Sequence, residues 1–474
     1  MEPIAPLSAH DSEPEKPPLV NQNTIEEAEA TTIESLSGLD NGQGSLASQP
    51  LLSRKKAAAL IILLLLLVAQ AINMSQEQFI GSQGWANVLT PDQVSGSTTQ
   101  AMTKNQAGQN NATSSRKTAK TVVTPQAYTN QLVSKMSLDQ KLGQMMMVQF
   151  VGATYSLPLA TMVNQYHVGS VLLFYANGNI VDKSQLKTLT HDLQRSQPDL
   201  PVSIALDQEG GTVDRLQELD GPRPSEAAIG ASHDPQQARA AGTQTSQDLS
   251  SYGITLNLAP VVDVDTAVYS ELHQDQRTFG TTPDTVTRMA QAYLEGLQEN
   301  HNVVGTLKHF PGLGNVTIDP HYGIPSVTSS KSELENIDWA PYRALIKQGQ
   351  AHAIMVTHEI VPAIDPTLPA SLSPKLIQGI LRDEMGFQGV IMTDSLTMAG
   401  ITAYYPPDQA AAIAIEAGSD MIMGASNPDD VATMIQGIKQ AIASGAISQT
   451  RIDASVQRIL LLKYQMGLLP IPTK

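Results

Sequence analysis

The chain has 474 residues, a formal net charge of −16 at pH 7 and no cysteine. The acidic balance argues against a nucleic-acid partner, because phosphate contacts require a basic surface. Without cysteine the chain has no disulfides, no thiol catalysis and no zinc–thiolate site, and its length suffices for one large domain or about two to three ordinary ones.

Residues 1–53 form an acidic stretch that contains proline and serine and shows no hydrophobic period. A stretch of this composition buries too little apolar surface to offset the entropy lost on folding. We therefore predict a disordered head.

Residues 54–72 combine the basic flank Arg54-Lys55-Lys56 with an apolar run from Ala57 to Ile72. As a membrane anchor, this run is slightly shorter than the roughly 20 residues that a spanning helix prefers. As a signal peptide, it offers the small-x-small sequence Ala69-Gln70-Ala71, but the region before it would be unusually long. A buried helix of a soluble domain is the third alternative. We favour a single-pass anchor, with a cytoplasmic head and the rest of the chain outside, or secreted if the signal is cleaved.

Residues 73–124 are rich in serine, threonine, glutamine, asparagine and glycine, which predicts a flexible polar linker. From residue 125 onwards short apolar strands alternate with helices. The predicted strands span residues 168–174, 202–206, 254–262, 303–310, 352–356, 389–393 and 421–423. The predicted helices span residues 128–141, 187–195, 235–251, 284–299, 334–348, 374–385, 408–417, 428–444 and 452–465.

Strands that are apolar throughout are typical of parallel sheets buried on both faces, as in an α/β barrel or a doubly wound sheet. The polar residues that follow these strands favour the barrel, whose active site lies at the carboxyl ends of the strands. They are Asp207, Asp263, Lys308, His309, His358 and Asp394. We predict one TIM-type (β/α)8 barrel over residues 125–474. The glycines after Asp207 lack the dinucleotide-binding spacing, so a Rossmann domain is not expected.

The residues at these strand ends favour hydrolysis without a metal or another cofactor. No His-x-His follows the first strand, as a metal-dependent amidohydrolase would require, and no Gly-x-Ser-x-Gly elbow is present. Asp394 is either a helix N-cap or a carboxylate nucleophile for a glycosidic bond. Asp319 and His321 are either a turn and a surface histidine or a proton-transfer pair, in which the aspartate raises the basicity of the imidazole.

Several motifs occur together in a recognisable order. The longest is Lys308-His309-Phe310-Pro311-Gly312-Leu313-Gly314, followed four residues later by Asp319-Pro320-His321. It resembles the signature of the β-N-acetylhexosaminidases of glycoside hydrolase family 3. Further segments resemble the same family over about residues 130–469, namely 205–216, 257–264, 277–280, 372–374, 392–398 and 417–420.

The resemblance implies retaining hydrolysis of terminal β-N-acetylglucosamine from peptidoglycan fragments or chitooligosaccharides. Asp394 would be the nucleophile and His321 the acid/base, with Asp319 as its partner. A further set would bind the terminal sugar: Asp207, Arg215, Arg277, Lys308 and His309. The family's second, α/β sandwich domain is not expected, because the last predicted helix ends close to residue 474.

Four positions depart from the usual motif: Pro320 replaces serine or threonine, Leu313 a frequent histidine, Thr212 a frequent arginine and Ser395 a common aspartate. Pro320 stiffens the loop thought to move the histidine, so it bears on rate and substrate preference. Two rival functions stay open, a phosphorylase of the same fold and a catalytically silent glycan-binding module, while a β-glucosidase is disfavoured by the Asp-x-His sequence. The oligomeric state is not predicted.

Overall fold

The computed structural model describes residues 123–316 and 324–470. The predicted head, apolar segment and linker, together with Asp319, Pro320 and His321, lie outside these ranges. No helix within the described ranges is both long and apolar enough to cross a membrane. The anchor at residues 54–72 stays a prediction.

Eight parallel strands close into a barrel, which confirms the predicted fold class. Each strand pairs with the next along the chain, and the last pairs with the first. The strands are β1 (Met146–Val148), β2 (Ser170–Leu172), β3 (Ser203–Leu206), β4 (Leu256–Asn257), β5 (Val304–Phe310), β6 (Ala353–Val356), β7 (Val390–Ser395) and β8 (Met421–Met423). Two short hairpins follow β3 and β6, formed by Gln208–Gly210 with Val213–Asp214 and by Ile360–Val361 with Asp365–Pro369.

Helices surround the barrel. The longer ones are Pro125–Lys135, Leu138–Gln144, Leu157–Asn164, Lys183–Ser196, Pro235–Ser251, Pro283–Leu297, Ala340–Lys347, the π-helix Lys375–Glu384, Pro407–Ala417, Pro428–Ala443 and Gln449–Gln465. The short ones are Gln217–Asp220, Glu226–Ala231, Glu271–Gln274, Lys331–Asn336 and Ala399–Thr402, with 3₁₀ turns at Tyr175–Asn177 and Ala370–Leu372.

The core lies inside the barrel and between the barrel and its helices. Met145, Met146 and Met147 are at most 1% exposed and belong to this core. All seven residues of β5 and all four residues of β6 are buried, as expected for a parallel sheet covered on both faces.

Three predicted elements are divided or strongly shortened in the structure. The helix predicted at 128–141 is two helices, because Ser137 and Gln140 form a capping box that starts a second one. The helix predicted at 334–348 is also two, divided around Ile337 and Trp339. The strand predicted at 254–262 is reduced to Leu256–Asn257, and Pro260 close behind it has no N–H to donate to a neighbouring strand.

Asp420 joins β7 to β8 at the end of the barrel opposite the predicted site. Its buried carboxylate accepts hydrogen bonds from the backbone N–H of Ile391 and the side chains of Ser455, Arg382 and Arg458. A buried carboxylate needs this number of donors to offset its lost hydration. The Ala417–Asp420 motif therefore stabilises the fold.

Lys463 is a buried lysine whose ammonium has no acidic partner among the described residues. Its Nζ donates to Oε1 of Gln144 at 2.6 Å, and the side chain is almost wholly inaccessible. Burial lowers the pKa of Lys463 to about 7, because the charged form loses its hydration. In the folded protein the amine of Lys463 therefore loses its proton near pH 7.

Stability should consequently depend on pH through Lys463. Between about pH 7 and pH 10 the unfolded chain keeps the proton that the folded protein has released, so raising the pH favours folding. We expect this residue to add at most about 1.4 kcal/mol per pH unit to the free energy of unfolding in that window. Urea unfolding at pH 7, 8 and 9 should show this rise in the wild type and its loss in Lys463→Met. The exposed Lys347→Met is the control, and equal slopes in all three proteins would contradict the assignment.

Candidate active site

A cavity of about 640 Å³ opens at the carboxyl ends of the barrel strands. It is lined by the following predicted site residues: Asp207, Arg215, Arg277, Lys308, His309 and Asp394. The structure thus brings six of the eight predicted residues together, from β5, β7 and the segments after β3 and β4. The other two, Asp319 and His321, lie outside the described residues, so their roles stay predictions.

A network of ion pairs forms one wall of this cavity. The ammonium of Lys308 lies 2.7 Å from Oδ1 of Asp207 and 2.6 Å from Oε1 of Glu209. The guanidinium of Arg277 binds both oxygens of Glu209, with Nε 2.8 Å from Oε2, and reaches Glu271 at 3.0 Å. Two cations and three carboxylates are therefore fixed before any ligand binds.

Glu209 is the centre of this network and was missed by the sequence analysis. Burial alone would raise the pKa of Glu209, but Lys308 and Arg277 lower it well below its usual range. In return, although burial opposes the charged forms, the carboxylates raise the pKa of Lys308 and of Arg277. All three side chains are therefore charged at neutral pH. A signal for Glu209 was present in the sequence. Lys308 and Arg277, two cations predicted to lie on one barrel face, require a buried counter-charge.

Arg215 reaches the cavity from the hairpin after β3. The side chain of Gln208 shapes this hairpin, because its Oε1 accepts from the backbone N–H of Arg215 and its Nε2 donates to Asp214. The turn requires glycine at Gly210, where φ is +89° and a Cβ would lie 2.2 Å from the Pro224 carbonyl oxygen. The guanidinium carbon of Arg215 lies 5.3 Å from the centre of the Phe174 ring. Asp207, directly after β3, is bound by Lys308.

His309 is held by Asp263, one of the polar residues that follow the predicted strands. Oδ2 of Asp263 lies 2.8 Å from Nδ1 of His309 and accepts the backbone N–H of the same residue at 3.0 Å. Oδ1 accepts the N–H of Leu313 at 2.7 Å. Asp263 thus fixes both the imidazole and the first turn of the loop after β5, as a positioning residue.

Asp394 lies near the end of β7 and faces the cavity. Its Oδ1 accepts the N–H of Ser395 at 2.7 Å, and the following helix is capped by Met398, so Asp394 is not the N-cap that the sequence also allowed. His358 lies beside this turn, with Nε2 2.9 Å from the Ser395 carbonyl oxygen and Nδ1 2.7 Å from the Ser371 hydroxyl. His358 therefore orients the segment that carries Asp394.

Two buried glutamates interact electrostatically with residues of the cavity wall and were also missed. Burial raises the pKa of Glu226 well above its usual range, and the negative charge of Glu209 adds to the effect. Burial likewise raises the pKa of Glu359, with Asp263 and Asp394 contributing. Burial therefore favours the protonated form of both side chains, which carries no negative charge beside the ionised network.

Within residues 123–316 and 324–470 no group of three or more histidine, aspartate or glutamate side chains is arranged to hold a metal ion. The described chemistry consists of fixed cations, their carboxylate partners and the carboxylate of Asp394. Such a site can bind a polyhydroxylated ligand through charge-assisted hydrogen bonds and present one carboxylate to it.

Comparisons with known proteins show which family this chain resembles. The model described as the glycosyl hydrolase family 3 N-terminal domain matches residues 137–462. Beta-hexosaminidase A of Pseudoalteromonas piscicida is 30% identical over 373 residues, covering 70% of this chain and 62% of that protein. Beta-hexosaminidase LpqI of Mycobacterium tuberculosis is 32% identical, covering 69% and 83%. A solved family 3 beta-N-acetylglucosaminidase from Paenibacillus sp. is 33% identical with a TM-score of 0.68, covering 71% and 64%. The chain spans less than two thirds of the first and third of these proteins.

Proposed function

The chain belongs to glycosyl hydrolase family 3, and from this premise we propose that it is a β-N-acetylhexosaminidase that removes terminal β-N-acetylglucosamine from glycans. The observation that carries the proposal is the convergence of Asp394 and the Lys308–Glu209–Arg277 network on one cavity. The names of the relatives, beta-hexosaminidase and beta-N-acetylglucosaminidase, support the choice of sugar. Fragments of peptidoglycan or of chitin are the substrates that fit this activity.

The proposed reaction proceeds in two steps with retention of configuration. The carboxylate of Asp394 attacks the anomeric carbon, and the bond to the leaving oxygen breaks as His321 donates a proton to that oxygen. A water molecule then attacks the glycosyl-aspartate, His321 takes its proton, and Asp394 is released as a carboxylate. Asp319 would hold the imidazole in the required tautomer.

In this proposal the charged side chains of the cavity wall also bind the sugar. Asp207 accepts hydrogen bonds from sugar hydroxyls, while Lys308, Arg277 and Arg215 donate to hydroxyl or acetamido oxygens. Because Lys308 and Arg277 are already locked by Glu209, they lose little side-chain entropy when the sugar binds. His309, fixed by Asp263, completes the wall of the sugar pocket.

A product assay with the full-length chain tests the proposal. The β-linked disaccharide of N-acetylglucosamine is supplied with and without inorganic phosphate, and the first anomer released is followed by proton NMR. We expect free N-acetylglucosamine, first as the β anomer, at the same rate in both buffers. The matched control is the corresponding β-glucoside, which we expect to be turned over more slowly.

Each of the other possible outcomes of this assay would identify one of the rival functions. Release of the sugar 1-phosphate would make the protein a phosphorylase. A faster reaction with the β-glucoside would make it a glucosidase. Binding of the disaccharide without turnover of any β-hexosaminide would make it a glycan-binding module.

A further inference from the structure

Arg215 differs from the other arginine and the lysine in the wall of the cavity. Lys308 and Arg277 form ion pairs with Glu209, whereas Arg215 forms no ion pair with a described residue. The Nε of Arg215 is buried and has no hydrogen-bond partner in the part of the chain that the structure describes. Burying a charged group in this way is costly unless another contact stabilises it. The contact that holds this guanidinium is therefore of another kind.

The ring of Phe174 provides this contact. The guanidinium carbon of Arg215 lies over the ring, 5.3 Å from its centre, and both side chains line the cavity. At this distance the negative face of an aromatic ring attracts a cation. A carboxylate partner occupies N–H groups of a guanidinium, as Glu209 does for Arg277. An aromatic face attracts the cation without occupying them, so the terminal N–H groups of Arg215 stay available to a ligand.

The backbone of Phe174 is held in place by a buried asparagine. The N–H of Phe174 donates to Oδ1 of Asn179 at 2.8 Å. Asn179 is fully buried, and its Nδ2 donates to the carbonyl oxygens of Phe150 and Gly152 at 3.1 and 2.8 Å. The segments after β1 and β2 are thereby joined to each other. Phe174 therefore presents its ring from a fixed position, which keeps the entropic cost of ligand binding low.

We propose that Phe174 is a positioning residue, which holds the guanidinium of Arg215 by a cation–π contact and directs its N–H groups to the terminal sugar. This inference rests on the proposed function, in which Arg215 donates to an oxygen of that sugar. Phe174 takes the place of the carboxylate that fixes Lys308 and Arg277. Without the ring, Arg215 samples more side-chain rotamers, and binding the sugar then costs more conformational entropy.

A double-mutant cycle with Arg215 tests the inference. Phe174→Leu and Phe174→Met keep an apolar side chain but remove the aromatic face. We expect both to lower kcat/KM for the β-linked disaccharide of N-acetylglucosamine about fivefold to tenfold, through a higher KM. In an Arg215→Met background the same changes should have an effect of at most about twofold, because the cation is absent. Phe174→Tyr keeps the aromatic face and should stay within about twofold of the wild type.

The matched control is Tyr175→Ala. Tyr175 is the next residue along the chain, is 50% exposed and is not part of the cavity wall. We expect its kcat/KM to equal that of the wild type. Urea unfolding of every variant shows whether the fold is retained, so that a loss of sugar binding is separated from a loss of structure.

Three results would overturn the inference. Wild-type kcat/KM in Phe174→Leu and Phe174→Met would show that the ring is not needed. An equal fall with and without Arg215 would show that Phe174 acts independently of the guanidinium. An equal fall in Tyr175→Ala would show a general disturbance of the segment after β2. If the wild type turned over no β-hexosaminide, the proposed function itself would be wrong, and the role of Phe174 with it.

Discussion

Replacing Asp394 with asparagine should reduce kcat for N-acetylglucosaminide hydrolysis by roughly 10⁴-fold or more, as found when the nucleophile of a covalent mechanism is removed. Asparagine keeps the shape of the side chain and can still accept the N–H of Ser395. Its amide oxygen is a poor nucleophile, so the glycosyl intermediate cannot form. The measurement is kcat for the disaccharide, together with the affinity for N-acetylglucosamine by calorimetry, which should change little.

The neighbouring Ser395→Ala is the matched control for Asp394→Asn. The Ser395 hydroxyl bonds only Thr397 among the described residues, while its backbone N–H, which binds Asp394, is retained. We expect its kcat to stay within about threefold of the wild type, in line with the loss of an exposed hydrogen bond. A further variant, Asp394→Ala, supplied with azide should form the α-glycosyl azide, because azide then attacks the open face of the sugar. More than about 1% residual turnover by Asp394→Asn would place the nucleophile elsewhere.

Replacing Glu209 with glutamine should damage both stability and catalysis. The change removes the negative charge that two buried cations share, and one cation then faces an amide N–H in place of a carboxylate oxygen. Breaking a buried ion pair from one side costs about 3–5 kcal/mol of unfolding free energy. We expect a loss of that size in urea unfolding at pH 7, and a fall in kcat/KM of at least about 100-fold as Lys308 and Arg277 lose their positions.

The pH dependence identifies the origin of the Glu209 effect. The pKa of Glu209 is lower in the folded protein than in the unfolded chain, so its stabilisation is complete above about pH 4.5 and is lost as the pH falls further. The difference in unfolding free energy between wild type and Glu209→Gln should therefore shrink below about pH 4.5. Glu271→Gln is the matched control, because it removes the more exposed partner of the same Arg277 and should cost at most about 1 kcal/mol. Equal losses from the two variants would contradict a central role for Glu209.

The fold could be predicted from the sequence because its signals are local. The helix at 235–251 and the strand at 421–423 have the predicted bounds, since Asp234 and Pro235 mark the helix start and Gly418 precedes a purely apolar strand. The bounds predicted for the strand at 254–262 were wrong, because a tertiary contact shortens this strand. Asn257 uses its side chain to bind the backbone of Gln208. Beyond it the pairing with β5 continues as single hydrogen bonds and an isolated bridge between Val261 and Lys308.

The residues of the site could be predicted from the sequence, but the ion pairs and hydrogen bonds that join them could not. Single residues such as Asp207, Lys308 and Asp394 follow from their positions at strand ends, where a barrel brings them together. Pairings between distant segments do not follow, because no periodicity relates Glu209 to Arg277 or Asp263 to His309. The raised pKa values of the buried acids Glu226 and Glu359 were missed for the same reason, since they depend on burial that only the packed structure defines.

The closure of the barrel between its first and last strands has a consequence for how the protein is made. Met146 and Met147 of β1 pair with Ile422 and Met423 of β8, so the contact that completes the sheet joins residues separated by nearly the whole domain. Contacts of such high sequence separation form late in folding, because the entropy of closing the intervening chain has to be overcome first. Synthesis from the N-terminus also delivers β8 as the last strand of the barrel. Since Met423 lines the cavity, a nascent chain completes this cavity only after the whole barrel has been made.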